Sequence, residues 1–221
     1  MRILGKMIEY GLLGIVLYTP FTFSLPNPRA QTIVHLATLI LFLLWLLKLN
    51  GEKTSYLAKT PLYLPLLLFL ILGSISVVRT NFFYYSTQEF FRITSAFLLF
   101  FLVANNSKEE NKFILPLILA ANIVAFIGIQ NYFRHSFSVA VSTLPNHNLL
   151  AGYLVISISL ALGLFLFNKG NLQKRLPFLF LIILPLICLI LAKSRGGLLS
   201  LMAALFVLIL AALNRKKRWI L

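Results

Sequence analysis

The sequence is divided into eight apolar runs, each about as long as a helix that crosses a bilayer. A helix needs about 20 residues to cross ~30 Å of hydrocarbon, because each residue advances it by about 1.5 Å. Short polar breaks separate the runs. No part of the sequence shows the alternation of apolar and polar residues that is typical of a barrel strand. We therefore predict an all-α, polytopic membrane helix bundle of about eight transmembrane helices, with residues 1–221 forming one domain. The predicted spans are residues 4–24, 31–49, 61–78, 88–104, 113–132, 148–167, 176–192 and 196–214.

The composition excludes a soluble domain. Hydrophobic residues make up 60% of the chain and charged residues 11%, whereas soluble domains carry about 25% charged residues. The formal charge of +15 would indicate nucleic acid binding in a soluble protein. In a membrane protein, basic loops that contact anionic lipid explain the same excess. We therefore expect membrane lipids as partners, and no nucleic acid.

The basic residues predict an orientation. Fourteen of the twenty lie in the breaks on the N-terminal side, so the positive-inside rule places both termini in the cytoplasm. The six on the opposite, outer side are mostly arginine, whose planar fork suits phosphate and carboxylate. They are Arg29, Arg79, Arg92, Arg134, Lys193 and Arg195.

Three of these arginines, Arg29, Arg92 and Arg195, stand near the start of a helix that runs inward from the outer face. A cation there opposes the helix dipole, and a bound anion would reverse that penalty. The alternative is that each arginine extends to lipid headgroups. For the whole set we favour an anion site at the outer face.

Two segments carry the residue types that such a site needs. The first, TLPNHNLLAGYL (143–154), opens the sixth span: Asn146 or Asn148 can cap the helix, and His147 stands at the membrane edge. His147 is either a ligand contact or an ordinary interfacial histidine. Ala151 and Gly152 leave room for another helix.

The second segment, LAKSRGGL (191–198), joins the last two spans. Ser194 can cap the eighth helix, Arg195 supplies charge, and Gly196 leaves backbone N–H groups open to phosphate. Gly196, Ser200 and Ala204 follow at four-residue spacing, which predicts a seam of close helix packing.

Further polar residues form stripes within the spans. Asn122, Gln130 and Arg134 share a face of the fifth span, and Gln88, Arg92 and Ser95 share one of the fourth. They either line a polar cavity or form structural hydrogen bonds between helices. His35, in contrast, has no charged neighbour at helical spacing, so we expect it to be a packing residue. No phosphate-binding loop, dinucleotide fingerprint or metal-ligand motif is present, and Glu89 is the lone acid on the outer half. No metal site is predicted.

PNHNLLAGYL, followed some forty residues later by KSRGGLLSL, resembles the signature of the O-antigen ligase and O-antigen polymerase family. Members are multispanning glycosyltransferases of the bacterial inner membrane. They transfer a glycan from undecaprenyl diphosphate to an acceptor at the outer face, without a nucleotide sugar or a metal. The resemblance implies that the protein serves the transfer of such a glycan to an acceptor glycan or lipid A core and needs no cofactor.

The resemblance implies that Arg195 and Arg92 contact the diphosphate. We add the other outer polar groups as candidate contacts. His147 and Glu89 are the outer candidates for the catalytic base. In the family, a large outer loop with a catalytic histidine and more spans follow the matched region. We therefore expect the 221 residues to be the N-terminal part of a member and inactive alone. The candidate diphosphate contacts are Arg195, Ser194, Gly196, Arg92, Arg134, Arg79 and Asn146.

Two other classes of protein stay open. A transporter or channel for an anion or a lipid carrier would explain the outer arginines equally well, but predicts broken helices or charges near the midplane. A non-catalytic membrane scaffold would explain everything except the preference for arginine.

Overall fold

The structure, a computed structural model, describes residues 2–22, 28–51, 57–106, 111–135, 138–144, 146–168 and 171–217. Eight α-helices and the short connections between them make up these ranges, in which no strand occurs. The prediction of an all-α polytopic membrane helix bundle is confirmed. The helices are α1 (Arg2–Thr22), α2 (Pro28–Gly51), α3 (Tyr63–Arg79), α4 (Phe83–Asn106), α5 (Asn111–His135), α6 (His147–Phe167), α7 (Leu172–Leu191) and α8 (Arg195–Lys217).

The helices extend beyond several of the apolar runs. α4 begins at Phe83 rather than residue 88, and α7 begins at Leu172 rather than residue 176. Helical hydrogen bonding satisfies the backbone whether or not the side chains are apolar, so a helix continues into the interface past its apolar part.

In the described ranges, six helices are long and apolar enough to cross a membrane: α2, α4, α5, α6, α7 and α8. α3 is apolar but has 17 residues, which is about 25 Å and the lower end of the crossing range. α1 carries Lys6 and Glu9 in its first half and is not among the six. The chain is a multi-pass membrane protein whose exposed apolar side chains contact lipid.

The chain divides into two compact units. Unit 1 contains Met1–Ile15 and Asn27–Glu110, and unit 2 contains Val16–Pro26 and Asn111–Leu221. Unit 1 therefore holds α2, α3 and α4 with most of α1, and unit 2 holds the other four helices. The single domain over 1–221 stays a prediction.

In unit 1, α2 and α3 pack against α4. Trp45 is buried, and its ring meets Phe101 edge-on at 4.9 Å. Two adjacent asparagines at the end of α4 bind the neighbouring segments. Asn105 donates to the Tyr63 hydroxyl (2.8 Å), and Asn106 accepts from Lys48 Nζ (2.9 Å). Such polar contacts favour association of the helices, because apolar side chains pack about as well against lipid as against a neighbouring helix.

In unit 2, α6 is the central helix and packs against α5, α7 and α8. Its buried side chains include Leu150, Leu154 and Ile158, which lie on one face at helical spacing. Arg175, in the first turn of α7, donates to the Leu166 carbonyl at 3.2 Å and so satisfies an unpaired group at the end of α6. Its guanidinium also lies 5.1 Å from the centre of the Phe165 ring.

Candidate functional site

The start of α6 is capped as the sequence predicts. Asn146 has extended backbone geometry, and its side-chain oxygen accepts a hydrogen bond from the Asn148 N–H at 2.7 Å. His147, the first residue of α6, is half-buried directly beside this cap. Pro145 lies outside the described residues.

The start of α8 is capped by Ser194, again as predicted, and it is also joined to the start of α6. The Ser194 hydroxyl accepts a hydrogen bond from the Gly197 N–H at 3.1 Å. It donates to Asn148 Oδ1 at 2.8 Å, and Ser194 is only 2% exposed. One buried hydroxyl therefore holds two helix N-termini together, a contact that the sequence did not predict. We call Asn146, Asn148, Ser194, Arg195, Gly196 and Gly197 the helix-start cluster.

α8 packs closely against α6 at Gly197 and not at Gly196. A Cβ atom at Gly197 would lie 2.6 Å from the Ala151 Cβ, whereas nothing lies within 4 Å of one at Gly196. The predicted seam of Gly196, Ser200 and Ala204 is therefore wrong by one residue, since Gly196 and Ser200 are exposed. The cap explains the shift, because the bond from Gly197 to Ser194 turns this glycine inward, against α6. Of the small pair on α6, Ala151 is buried at this contact and Gly152 is exposed.

Arg195 is exposed at the first position of α8. No described residue forms a hydrogen bond or an ion pair with its side chain. The next residue, Gly196, is exposed too, and N–H groups of a first helical turn have no partner within the helix. A cation and open backbone donors thus stand together at the helix start, which is the arrangement that binds anions.

The other predicted arginines differ in setting. Arg92 is paired with Glu89, its Nη2 lying 2.6 Å from Glu89 Oε2, and both side chains are more than half exposed. Arg79 and Arg134 are exposed and have no ion-pair partner among the described residues. Arg79 and Arg92 belong to unit 1, and Arg134 belongs to unit 2. The structure therefore brings Asn146, His147, Ser194, Arg195 and Gly196 together in unit 2.

The connection between α5 and α6 folds back onto the helices. Ala140 is buried, and its N–H donates to the Leu191 carbonyl at 2.9 Å. The Ser142 hydroxyl donates to the Val124 carbonyl at 2.6 Å. Val124 precedes the end of α5 by about 16 Å of helix. Gly128 makes room for this segment, since a Cβ there would lie 3.3 Å from Ser142 Cβ. From the sequence, residues 138–144 were predicted to be part of an ordinary polar break between two spans.

The polar stripes inside the spans are partly structural. Asn122 Nδ2 donates to the Leu181 carbonyl of α7 at 3.0 Å. Ser95, which is buried, lies 2.6 Å from His35 Nδ1, measured from its hydroxyl oxygen. His35 is therefore a hydrogen-bonding link between α2 and α4 and not only the packing residue expected. At these positions the structural reading of the stripes is correct, whereas Gln130 and Arg134 are exposed.

The described residues contain no group of three His, Cys, Asp or Glu side chains placed to hold a metal ion. A comparison of the chain with known proteins finds no matching family model, no matching curated protein and no matching solved structure.

The predicted orientation can be tested with single cysteines at two exposed positions of unit 2. Ser138 precedes the start of α6. Asn171 lies between the last residue of α6 and the first residue of α7, at the opposite end of α6. We expect a membrane-impermeant maleimide to label Ser138→Cys in intact cells, and Asn171→Cys only after permeabilisation. The natural Cys188 is buried and should give little background. The reverse labelling pattern would contradict the assignment of the helix-start cluster to the outer face.

Proposed function

We propose that the helix-start cluster binds the diphosphate of an undecaprenyl-diphosphate-linked glycan at the outer face of a bacterial inner membrane. We further propose that the protein serves the transfer of that glycan to an acceptor, either a glycan or a lipid A core. The observation that carries the proposal is the position of Arg195, an exposed arginine without a described partner at the start of α8. The Ser194 hydroxyl holds this helix start against the start of α6.

The hydrogen bonds assign different roles to the members of the cluster. The side chains of Asn146 and Ser194 are occupied by caps, so these residues position the site instead of contacting the ligand. The direct contacts left for a diphosphate are the Arg195 guanidinium and the N–H groups of Arg195 and Gly196. A bidentate guanidinium contact and two joined helix N-termini favour two or more negative charges over one.

The same contacts would assist glycan transfer. In that reaction the acceptor hydroxyl attacks the anomeric carbon while the bond from this carbon to the diphosphate oxygen breaks. Arg195 and the backbone donors would stabilise the charge that develops on the leaving diphosphate. The acceptor proton must pass to a base, and the candidate is His147, which directly follows the Asn146 cap and so adjoins the cluster.

A second function, translocation of the lipid carrier or another anion, is favoured by the segment at residues 138–144. Non-helical backbone at membrane depth occurs where it is buried in protein or lines a cavity, as in transporters. The Ser142–Val124 bond places such backbone within the helical part of unit 2. The two functions share a ligand and differ in whether a glycosidic bond is made.

The test of the proposed function is the binding of undecaprenyl diphosphate and undecaprenyl monophosphate to the purified protein. We expect the diphosphate to bind at least about tenfold more tightly, since one more charge-assisted contact is worth roughly 1.5–3 kcal/mol. Equal affinities would contradict a diphosphate site.

Proteoliposomes loaded with a glycan-bearing carrier and an acceptor then separate the two functions: a new glycosidic bond indicates transfer, and relocation of intact carrier indicates transport.

A further inference from the structure

Unit 1 contains a cleft that the proposed function does not use. It has a volume of about 270 Å³ and lies between the last turns of α3 and the first turns of α4. Hydroxyl groups and a carboxylate line one part, and apolar groups line the other. The lining includes Gly73, Ser76, Tyr85, Ser86, Glu89 and Phe90.

The cleft lies at the depth of lipid headgroups. Four consecutive exposed aromatic residues, Phe82 to Tyr85, run from the turn after α3 into the first turn of α4, which is typical of a membrane–water interface. Ser76 and Ser86 are within one turn of these helix ends, whereas Gly73 and Phe90 lie deeper. α3 has no buried residue, so its sides are open to lipid. The polar part of the cleft therefore meets headgroups, and the apolar part meets the beginning of acyl chains.

Glu89 gives the cleft its chemical preference. Both contacts from Arg92 reach the same carboxylate oxygen, Oε2, with Nε at 2.8 Å and Nη2 at 2.6 Å. Oε1 has no described donor, and a carboxylate oxygen accepts hydrogen bonds readily from an ammonium group. Arg79, which follows Ser76 by three residues at the exposed end of α3, supplies a cation without a described partner. A carboxylate in the lining and a cation at the adjoining helix end complement a headgroup that carries both an ammonium and a phosphate.

We propose that this cleft binds an aminophospholipid, with the primary ammonium of a phosphatidylethanolamine donating to Glu89 Oε1 and its phosphate facing Arg79. The hydroxyls of Ser76 and Ser86 accept the remaining ammonium hydrogens. The first methylene groups of the acyl chains pack along Gly73 and Phe90. The proposal rests on the cleft in unit 1 alone and is independent of diphosphate binding in unit 2.

The test compares phosphatidylethanolamine with phosphatidylcholine of identical acyl chains, because the methylated amine of phosphatidylcholine cannot donate hydrogen bonds. Lipid binding to the purified protein is measured by native mass spectrometry. We expect phosphatidylethanolamine to bind about tenfold more tightly than phosphatidylcholine. Glu89→Gln should remove most of this preference, since it keeps the shape of the side chain but not its charge. Equal binding of the two lipids to the natural protein, or an undiminished preference in Glu89→Gln, would overturn the proposal.

A second variant tests the place of binding. Gly73→Leu fills the apolar part of the cleft, where even a Cβ would lie 3.3 Å from the Phe90 ring. It should weaken phosphatidylethanolamine binding severalfold. Gly14→Leu is the matched control, because Gly14 is an exposed glycine of unit 1 with nothing within 4 Å of an added Cβ. Equal losses in the two variants would place the lipid elsewhere. If a glycosyl diacylglycerol binds as tightly as phosphatidylethanolamine, the cleft recognises hydroxyl groups and the assignment of an amine is wrong.

Discussion

Gly197→Ala is expected to destabilise unit 2 by about 1–3 kcal/mol, the usual range for inserting a methyl group into a tightly packed contact. The added Cβ would lie 2.6 Å from the Ala151 Cβ and 3.1 Å from Leu189 Cδ1. A Cβ atom is fixed to its backbone, so relief of the first contact requires α8 to move away from α6. That movement would stretch the 2.8 Å hydrogen bond between Ser194 and Asn148.

The neighbouring glycine provides the control. Gly196→Ala adds the same methyl group where nothing lies within 4 Å, and alanine is favoured over glycine in a helix by about 1 kcal/mol. We therefore expect Gly196→Ala to unfold at or above the temperature of the natural protein in detergent, and Gly197→Ala to unfold below it. Unfolding of Gly197→Ala at the natural temperature would show that the contact between α6 and α8 is looser than described.

The fold was predictable because the bilayer restricts what an apolar sequence can form. Eight apolar runs of nearly constant length admit few structures other than spanning helices, since the backbone must satisfy its hydrogen bonds internally. The division into two units was not predictable, because apolar faces that meet lipid and faces that meet protein have the same composition. The side chains that join neighbouring helices, such as Asn106 and Ser95, are specific only once the partner helix is known.

The candidate site was predictable to the level of local caps. Asn146 and Ser194 were expected as helix caps from residue type and position alone, and both are. Their connection through Asn148 joins positions 46 residues apart, which local patterns do not encode. The error of one residue at Gly196 has a similar origin, because four-residue spacing defines a face of α8 but not which face meets α6. The contacts of residues 138–144 with α5 and α7 were indicated only weakly, by the small side chains of Ala140 and Ser142.

The largest functional effect is expected at Arg195. Arg195→Ala should weaken undecaprenyl diphosphate binding about ten- to more than a hundredfold, since a hydrogen-bonded charged contact is worth roughly 1.5–3 kcal/mol. Arg195→Lys should give an intermediate loss, because lysine keeps the charge but not the planar fork. Folding should survive both changes, because Arg195 is exposed and lacks a described acidic partner. The effect should therefore be on affinity and not on unfolding temperature.

The most direct test of the diphosphate site is a titration of the purified protein and three variants with undecaprenyl diphosphate. Lys174→Ala is the control: it removes an exposed positive charge of unit 2 from the first turn of α7, at the opposite end of the helices from Arg195. We predict that the dissociation constant rises at least about tenfold in Arg195→Ala, rises less in Arg195→Lys, and is unchanged in Lys174→Ala. If Arg195→Ala binds as tightly as the natural protein, Arg195 is an anchor to lipid headgroups, and the helix-start cluster is not the diphosphate site.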